Sequence, residues 1–152
     1  MLATFDFSQR AVLLWIVDIT DETKPIPFAS FQVAKEDGSL KPDYTGMHQF
    51  CEEIRSTEVP VAWFAHGLRI VDIANLHTPR EVAFFVPDVL PGATRVQSND
   101  VCFDDRGLIY LIDRTRGLHI LERNVTRRRR KMARDQVLGD GFVSMGDERR
   151  NP

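Results

Sequence analysis

Two short segments of this chain carry polar residues in matching order. Met47-His48-Gln49-Phe50-Cys51-Glu52 aligns with Ser98-Asn99-Asp100-Val101-Cys102-Phe103 at an offset of 51 residues. His48 falls on Asn99, Gln49 on Asp100 and Cys51 on Cys102. An imidazole suits transition metals, and a carboxylate suits harder cations. If the two segments run side by side, His48, Gln49, Asn99 and Asp100 converge at one level and offer a partial site for a cation or polar ligand. Such residues also satisfy backbone groups and water at the end of a sheet, and with only two segments that reading is the simpler one.

No other set of chemistry-bearing residues emerges. His48, His66, His77 and His119 show no HxH, HxxxH or HExxH spacing, and the chain has no G-x-S-x-G and no glycine-rich phosphate loop. Glu52-Glu53 and Asp104-Asp105 are adjacent in sequence, so on a strand each pair faces opposite ways. Cys51 and Cys102 lack the paired spacing of a structural zinc site and read as small buried hydrophobes. His66 and His77 read as turn residues, and His119 as a solvent-facing position on a strand. No motif specifies a cofactor.

Near the C-terminus, Arg127-Arg128-Arg129-Arg130-Lys131 places five positive charges in a row. Such a run binds nucleic acid or anionic lipid by counterion release. No aromatic residue interleaves it to stack on bases, so it reads more simply as a solvated, disordered tail. Residues 1–122 carry an acidic excess, and 123–152 a basic one. The expected boundary between an ordered unit and an irregular tail therefore lies at 122/123.

The elements that must position these residues repeat along the chain. Trp15-Ile16-Val17-Asp18-Ile19 recurs as Arg69-Ile70-Val71-Asp72-Ile73, and the match continues from Pro25 to Pro79 and from Phe31 to Phe85. Gly67-Leu68-Arg69-Ile70-Val71-Asp72 returns once more as Gly117-Leu118-His119-Ile120-Leu121-Glu122. Short β-branched and aromatic runs, punctuated by Gly, Pro and Asn, are strand signals. They predict strands at 11–19 and 26–34, then 47–52, 60–65, 67–73 and 80–86, then 98–104, 108–113 and 117–122. Asp18 and Asp72 end their strands, where a carboxylate can accept backbone N–H groups of the following turn. Gly67 and Gly117 open theirs. Ile16, Val17, Ile70, Val71, Ile120 and Leu121 are expected to pack between neighbouring sheets.

A period near fifty residues with about four strands per unit fits a β-propeller blade. The frame Gly67 to Ile73 with Pro79, its copy at Trp15 to Pro25, and Gly117 to Leu121 resemble the LVIVD-repeat proteins, a bacterial and archaeal propeller family. The resemblance covers roughly residues 11–122. It implies an all-β, partial propeller with one complete four-stranded blade and two partial ones. It also implies a non-enzymatic binding or scaffold module. The alternative is a metal-dependent enzyme holding its metal in the central channel, by distant analogy with the selenium-binding protein and methanethiol oxidase family. Family members have several full blades. The expected partners are therefore the missing blades of a longer propeller, of which this chain would be the C-terminal portion, or further copies of itself.

Composition agrees with a globular unit. Hydrophobic residues make up 43% and charged residues 28%, which excludes a collagenous, disulfide-dense or wholly disordered chain. The longest apolar run, Ala11 to Val17, is too short for a membrane helix. Asp6 and Arg10 interrupt any signal-peptide core, so a cytoplasmic location is the default expectation.

Overall fold

The computed structural model describes residues 2–3, 13–33, 45–124 and 142–144. Every regular element in them is a β-strand, and the strands form three antiparallel sheets, none of which closes on itself. The first sheet holds β1 (Leu2–Ala3), β2 (Leu14–Asp18) and β3 (Ile26–Phe31). The second holds β4 (Gln49–Phe50), β5 (Glu58–Ala62), β6 (Leu68–Asp72) and β7 (Arg80–Phe85), in that order. The third holds β8 (Ser98–Phe103), β9 (Ile109–Asp113), β10 (Gly117–Arg123) and β11 (Phe142–Ser144), again in order.

Local chemistry explains the strand ends. Asp18 Oδ1 accepts Thr20 N at 2.8 Å, and Asp72 Oδ1 accepts Ala74 N at 2.9 Å, so both carboxylates close the turn after their strand as expected. One step on, Asp21 Oδ1 accepts Thr23 N and its repeat partner Asn75 Oδ1 accepts His77 N. Gly67 has φ +69°, and a Cβ there would lie 2.2 Å from the Phe85 carbonyl oxygen, so only glycine fits. β4 stops at Phe50 for a specific reason. Cys51 N donates to Pro60 O at 2.8 Å, but proline has no N–H to return the bond.

The first two sheets share a distortion. Pairing of β2 with β3 slips between Ile16 and Val17, and pairing of β6 with β7 slips between Ile70 and Val71. The extra residues are Phe28 and Val82, which the repeat aligns. A bulge at the same repeat position in both hairpins shows that the sequence repeat is a structural one.

The sheets pack face to face around two cores. Leu14 and Ile16 of the first meet Val59, Val61, Trp63 and Val71 of the second. From the other side of the second sheet, Leu68, Ile70 and Ala83 meet Val101, Leu111 and Leu121 of the third. Ion pairs clasp the second junction. Arg123 binds Glu58, and Arg55 binds Asp105 at 3.2 Å while lying over the Phe103 ring.

Three expectations change. Cys102 is exposed, because it lies on the side of β8 that no sheet among the described residues covers, while Cys51 is buried as expected. His119 is not solvent-facing. It is half-buried with its ring 5.5 Å from Phe85, and it is Ile120 that is turned outward. The strand alternates as expected, but among the described residues no sheet packs on the face of Leu118 and Ile120. Regular structure also extends beyond residue 122, through Arg123 and β11. Arg127, Arg128, Arg129, Arg130 and Lys131 lie outside the described residues.

Candidate functional site

The turn from Trp63 to Gly67 brings the first strands of the second and third sheets together. Trp63 N bonds to Gly67 O at 2.7 Å, and Phe64 takes φ +35°, rare for a side chain of its size. That conformation turns the Phe64 carbonyl to accept Ser98 N at 3.0 Å. The Phe64 ring lies 4.7 Å from the His48 ring and 5.8 Å from the Arg114 guanidinium.

His48 and Asn99 do meet, but through the main chain. His48 Nδ1 lies 2.5 Å from the Asn99 backbone oxygen. A carbonyl can only accept, so Nδ1 is the donor in this contact. Asn99 occupies an irregularity in the β8–β9 pairing, which skips from Ser98 to Asp100. Its Oδ1 is enclosed without a donor. Gln49 and Asp100 bond elsewhere. Gln49 Nε2 donates to Glu52 at 3.4 Å, and exposed Asp100 accepts the N–H of Val101 at 2.8 Å. Among the described residues, no three His, Cys, Asp or Glu side chains stand close enough to hold a metal ion. A lone imidazole nitrogen does not make a metal site, so no chemistry is routed through one here.

The best-built polar centre at this junction is Asp113, which sequence reading passed over. It is buried, and its Oδ1 accepts Thr115 N, Thr115 Oγ1 and Arg116 N at 2.7–3.0 Å. Its Oδ2 accepts Gln97 N at 2.8 Å and Ser98 Oγ at 3.0 Å. Burial pushes this carboxyl up, but the donors outweigh it and hold it below the ordinary range. Asp113 ties the start of β8 to the β9–β10 turn and leaves no lone pair for a ligand. Asp104 fastens the neighbouring β8–β9 turn in the same way. Desolvation raises it, yet Arg106, Tyr110 and the backbone of Leu108 bring it to about 2.

Arg69 was also missed. It is buried against the second sheet, 3.2 Å from Glu81, bonded to His66 O at 2.9 Å and 4.8 Å above the Phe84 ring. Its repeat partners are Trp15 and His119. A large side chain at every copy of the position was the signal that it packs rather than points to water.

Two open grooves run along the sheet junctions. One of about 540 Å³ lies between the first and second sheets, with Ile19, Ile54 and Leu76 at its surface. The other, about 400 Å³, lies between the second and third and is lined by Arg55, Glu58, Asp105 and Arg106. Neither gathers a nucleophile beside a base.

The most distinctive surface is the outer face of the third sheet. Cross-strand pairing lines up Cys102 with Tyr110 and Ile120, and Asp100 with Ile112 and Leu118. Ile112 is 48% exposed, Leu118 58% and Ile120 38%. Their repeat partners are Ala62, Leu68 and Ile70, which are 0%, 0% and 2% exposed. Leu14 and Ile16, in the first sheet, are 0% and 3%. No family model, curated protein or solved structure matches this chain.

Proposed function

We propose that this chain belongs to a β-propeller of LVIVD-repeat type and serves as a non-enzymatic binding or scaffold module. Its working surface is the outer face of the third sheet. The observation that carries the reading is the burial of one repeated pair of positions. Leu14/Ile16 are covered by the second sheet and Leu68/Ile70 by the third, while Leu118/Ile120 lie bare. A contiguous apolar face at the end of a stack marks a place for another protein layer. Stacked four-stranded antiparallel sheets in simple meander order are what propeller blades are made of. The His48–Asn99 contact reads as a fastening between neighbouring inner strands.

A pair of double variants tests this reading. Leu118→Lys with Ile120→Lys changes a face that the module presents outward. That variant should keep its β-sheet circular dichroism, unfold cooperatively and bind less of an apolar fluorescent dye. Leu68→Lys with Ile70→Lys puts charges into the core and should not fold. Equal loss of structure in both would show that the outer face is ordinary core and would remove the proposed function.

A further inference from the structure

We infer that the junction between the second and third sheets is an acid-sensitive latch, which opens when the His119 imidazole takes up a proton in mild acid. Only the stacking of the sheets is needed for this, so the latch stands or falls separately from the propeller reading.

His119 lies inside that junction. It pairs across the sheet with Leu111 of β9, and Leu111 and Leu121, on the same face, are fully buried in one core with Leu68 and Ile70 of the second sheet. From β7 of the second sheet, the Phe85 ring approaches to 5.5 Å. The Nε2 atom is sealed from water, and among the described residues it has no hydrogen-bond partner. A neutral imidazole can leave Nε2 as a lone pair. An imidazolium carries N–H on both nitrogens, so it would bury a charge and an unmatched donor.

Among the described residues, no free carboxylate answers that charge. On the third sheet, Asp113 favours the charged ring and Arg116 opposes it, but both Asp113 oxygens are already committed to five donors. Further along β10, Arg123 is bound to Glu58 of β5. On β7, Arg80 pairs with Asp72 and Glu81 with Arg69. Arg69 lies opposite Val61, on the face of the second sheet that meets the first. The strand β11 contains no charged residue. Burial therefore dominates and pushes the His119 imidazole below its ordinary 6.5.

The repeat shows what sets this junction apart. In the second sheet the same position holds Arg69, a permanent charge matched by Glu81 at 3.2 Å and by the His66 carbonyl at 2.9 Å. In the first sheet it holds Trp15, which carries no charge. Only the copy in the third sheet titrates near neutrality. Below pH 6.5 the opened junction takes up a proton that the closed one refuses, so the closed form loses stability as the pH falls. One proton sets the limit at about tenfold in the opening equilibrium per pH unit. This window lies above that of Asp72, Asp104 and Asp113, whose carboxyls are held below 3.8.

Cys51 reports on the latch, because it is buried in the same core as Leu68 and Leu111. The test uses the full chain with Cys102→Ser, which leaves Cys51 as the one thiol. A dipyridyl disulfide, which modifies thiols in mild acid, is applied at about pH 7.5 and about pH 5.5, with the urea-unfolded chain as the reference rate at each. Protection of Cys51 should fall by up to about tenfold on acidification, while the fluorescence of Trp63, buried in the first core, stays constant. His119→Phe cannot take up the proton and should hold the protection constant. Should the phenyl ring prevent folding, His119→Gln supplies a smaller neutral side chain with the same expected result. Constant protection in the chain that keeps His119 would overturn the latch, as would an equal fall in a folded His119 variant or a simultaneous change at Trp63. Proton NMR of the unaltered protein needs no variant. The His119 ring should titrate below 6.5, and a midpoint at or above that value would also overturn it.

Discussion

Truncating Leu68 and Leu118 separately gives the sharpest energetic contrast the repeat allows. The two residues occupy the same repeat position on aligned strands. Leu68 has no exposed surface and packs against the third-sheet core of Val101, Leu111 and Leu121. Leu68→Ala forfeits the transfer free energy of the removed carbons and leaves a cavity, together about 3 kcal/mol. Leu118 is 58% exposed, so less than half of its side chain leaves water within the chain. Leu118→Ala should therefore cost under about 1 kcal/mol in the dilute protein. The difference of about 2 kcal/mol corresponds to a midpoint shift of about 1 M urea for a slope near 2 kcal/mol/M. Trp63 is a suitable fluorescence reporter, since it is buried and stands edge-on to Phe31 at 5.6 Å. Equal midpoint shifts in dilute protein would refute the assignment of one position to core and the other to a presented face.

Asp113→Ala should destabilise the chain by about 2 kcal/mol, because it strands the half-buried N–H groups of Gln97 and Thr115, a loss that urea unfolding will measure. Stability should also fall in acid. Asp18, Asp72, Asp104 and Asp113 all titrate below the ordinary 3.8 in the folded chain, so the unfolded chain takes up protons first as the pH drops. Their contribution is complete above about pH 5 and is lost through pH 4 towards 2, and a flat urea midpoint across that window would contradict it. Gly67→Ala meets both a left-handed φ and the Phe85 carbonyl and should cost more than about 2 kcal/mol, while Gly117→Ala, with open space around it, should cost about 1. Thermal melts of the two variants separate the conformational penalty from the collision.

Much of the architecture is legible locally. The expected strands 67–73, 80–86 and 117–122 correspond to Leu68–Asp72, Arg80–Phe85 and Gly117–Arg123, because alternation and turn residues act within a few positions. The expected 60–65 became Glu58–Ala62. Pro60 looked like a boundary but sits inside the strand, opposite Ile70, where the shortness of β4 leaves its missing N–H tolerable. Asp113 could not be found by pattern. Its five hydrogen bonds converge from a turn and from a strand end fifteen residues away, and no spacing rule encodes that. The candidate polar site was half legible. Aligning His48 with Asn99 did bring the two together, but alternation cannot tell whether a side chain will meet a side chain or a backbone oxygen, and the irregularity at Asn99 decided it. His119 and Ile120 exchanged their expected environments for a global reason. A strand shows which residues share a face, while burial depends on whether another layer arrives.

Hydroxyl-radical footprinting resolved to single residues tests the central claim most directly, because it reads side-chain exposure at Leu14, Leu68 and Leu118 in one sample. Leu14 and Leu68 should oxidise slowly, and Leu118, Ile112 and Ile120 rapidly, in dilute protein. Oxidation of Leu68 and Leu118 at the same rate in dilute protein would contradict it, since the three sheets would then not share one repeating mode of stacking.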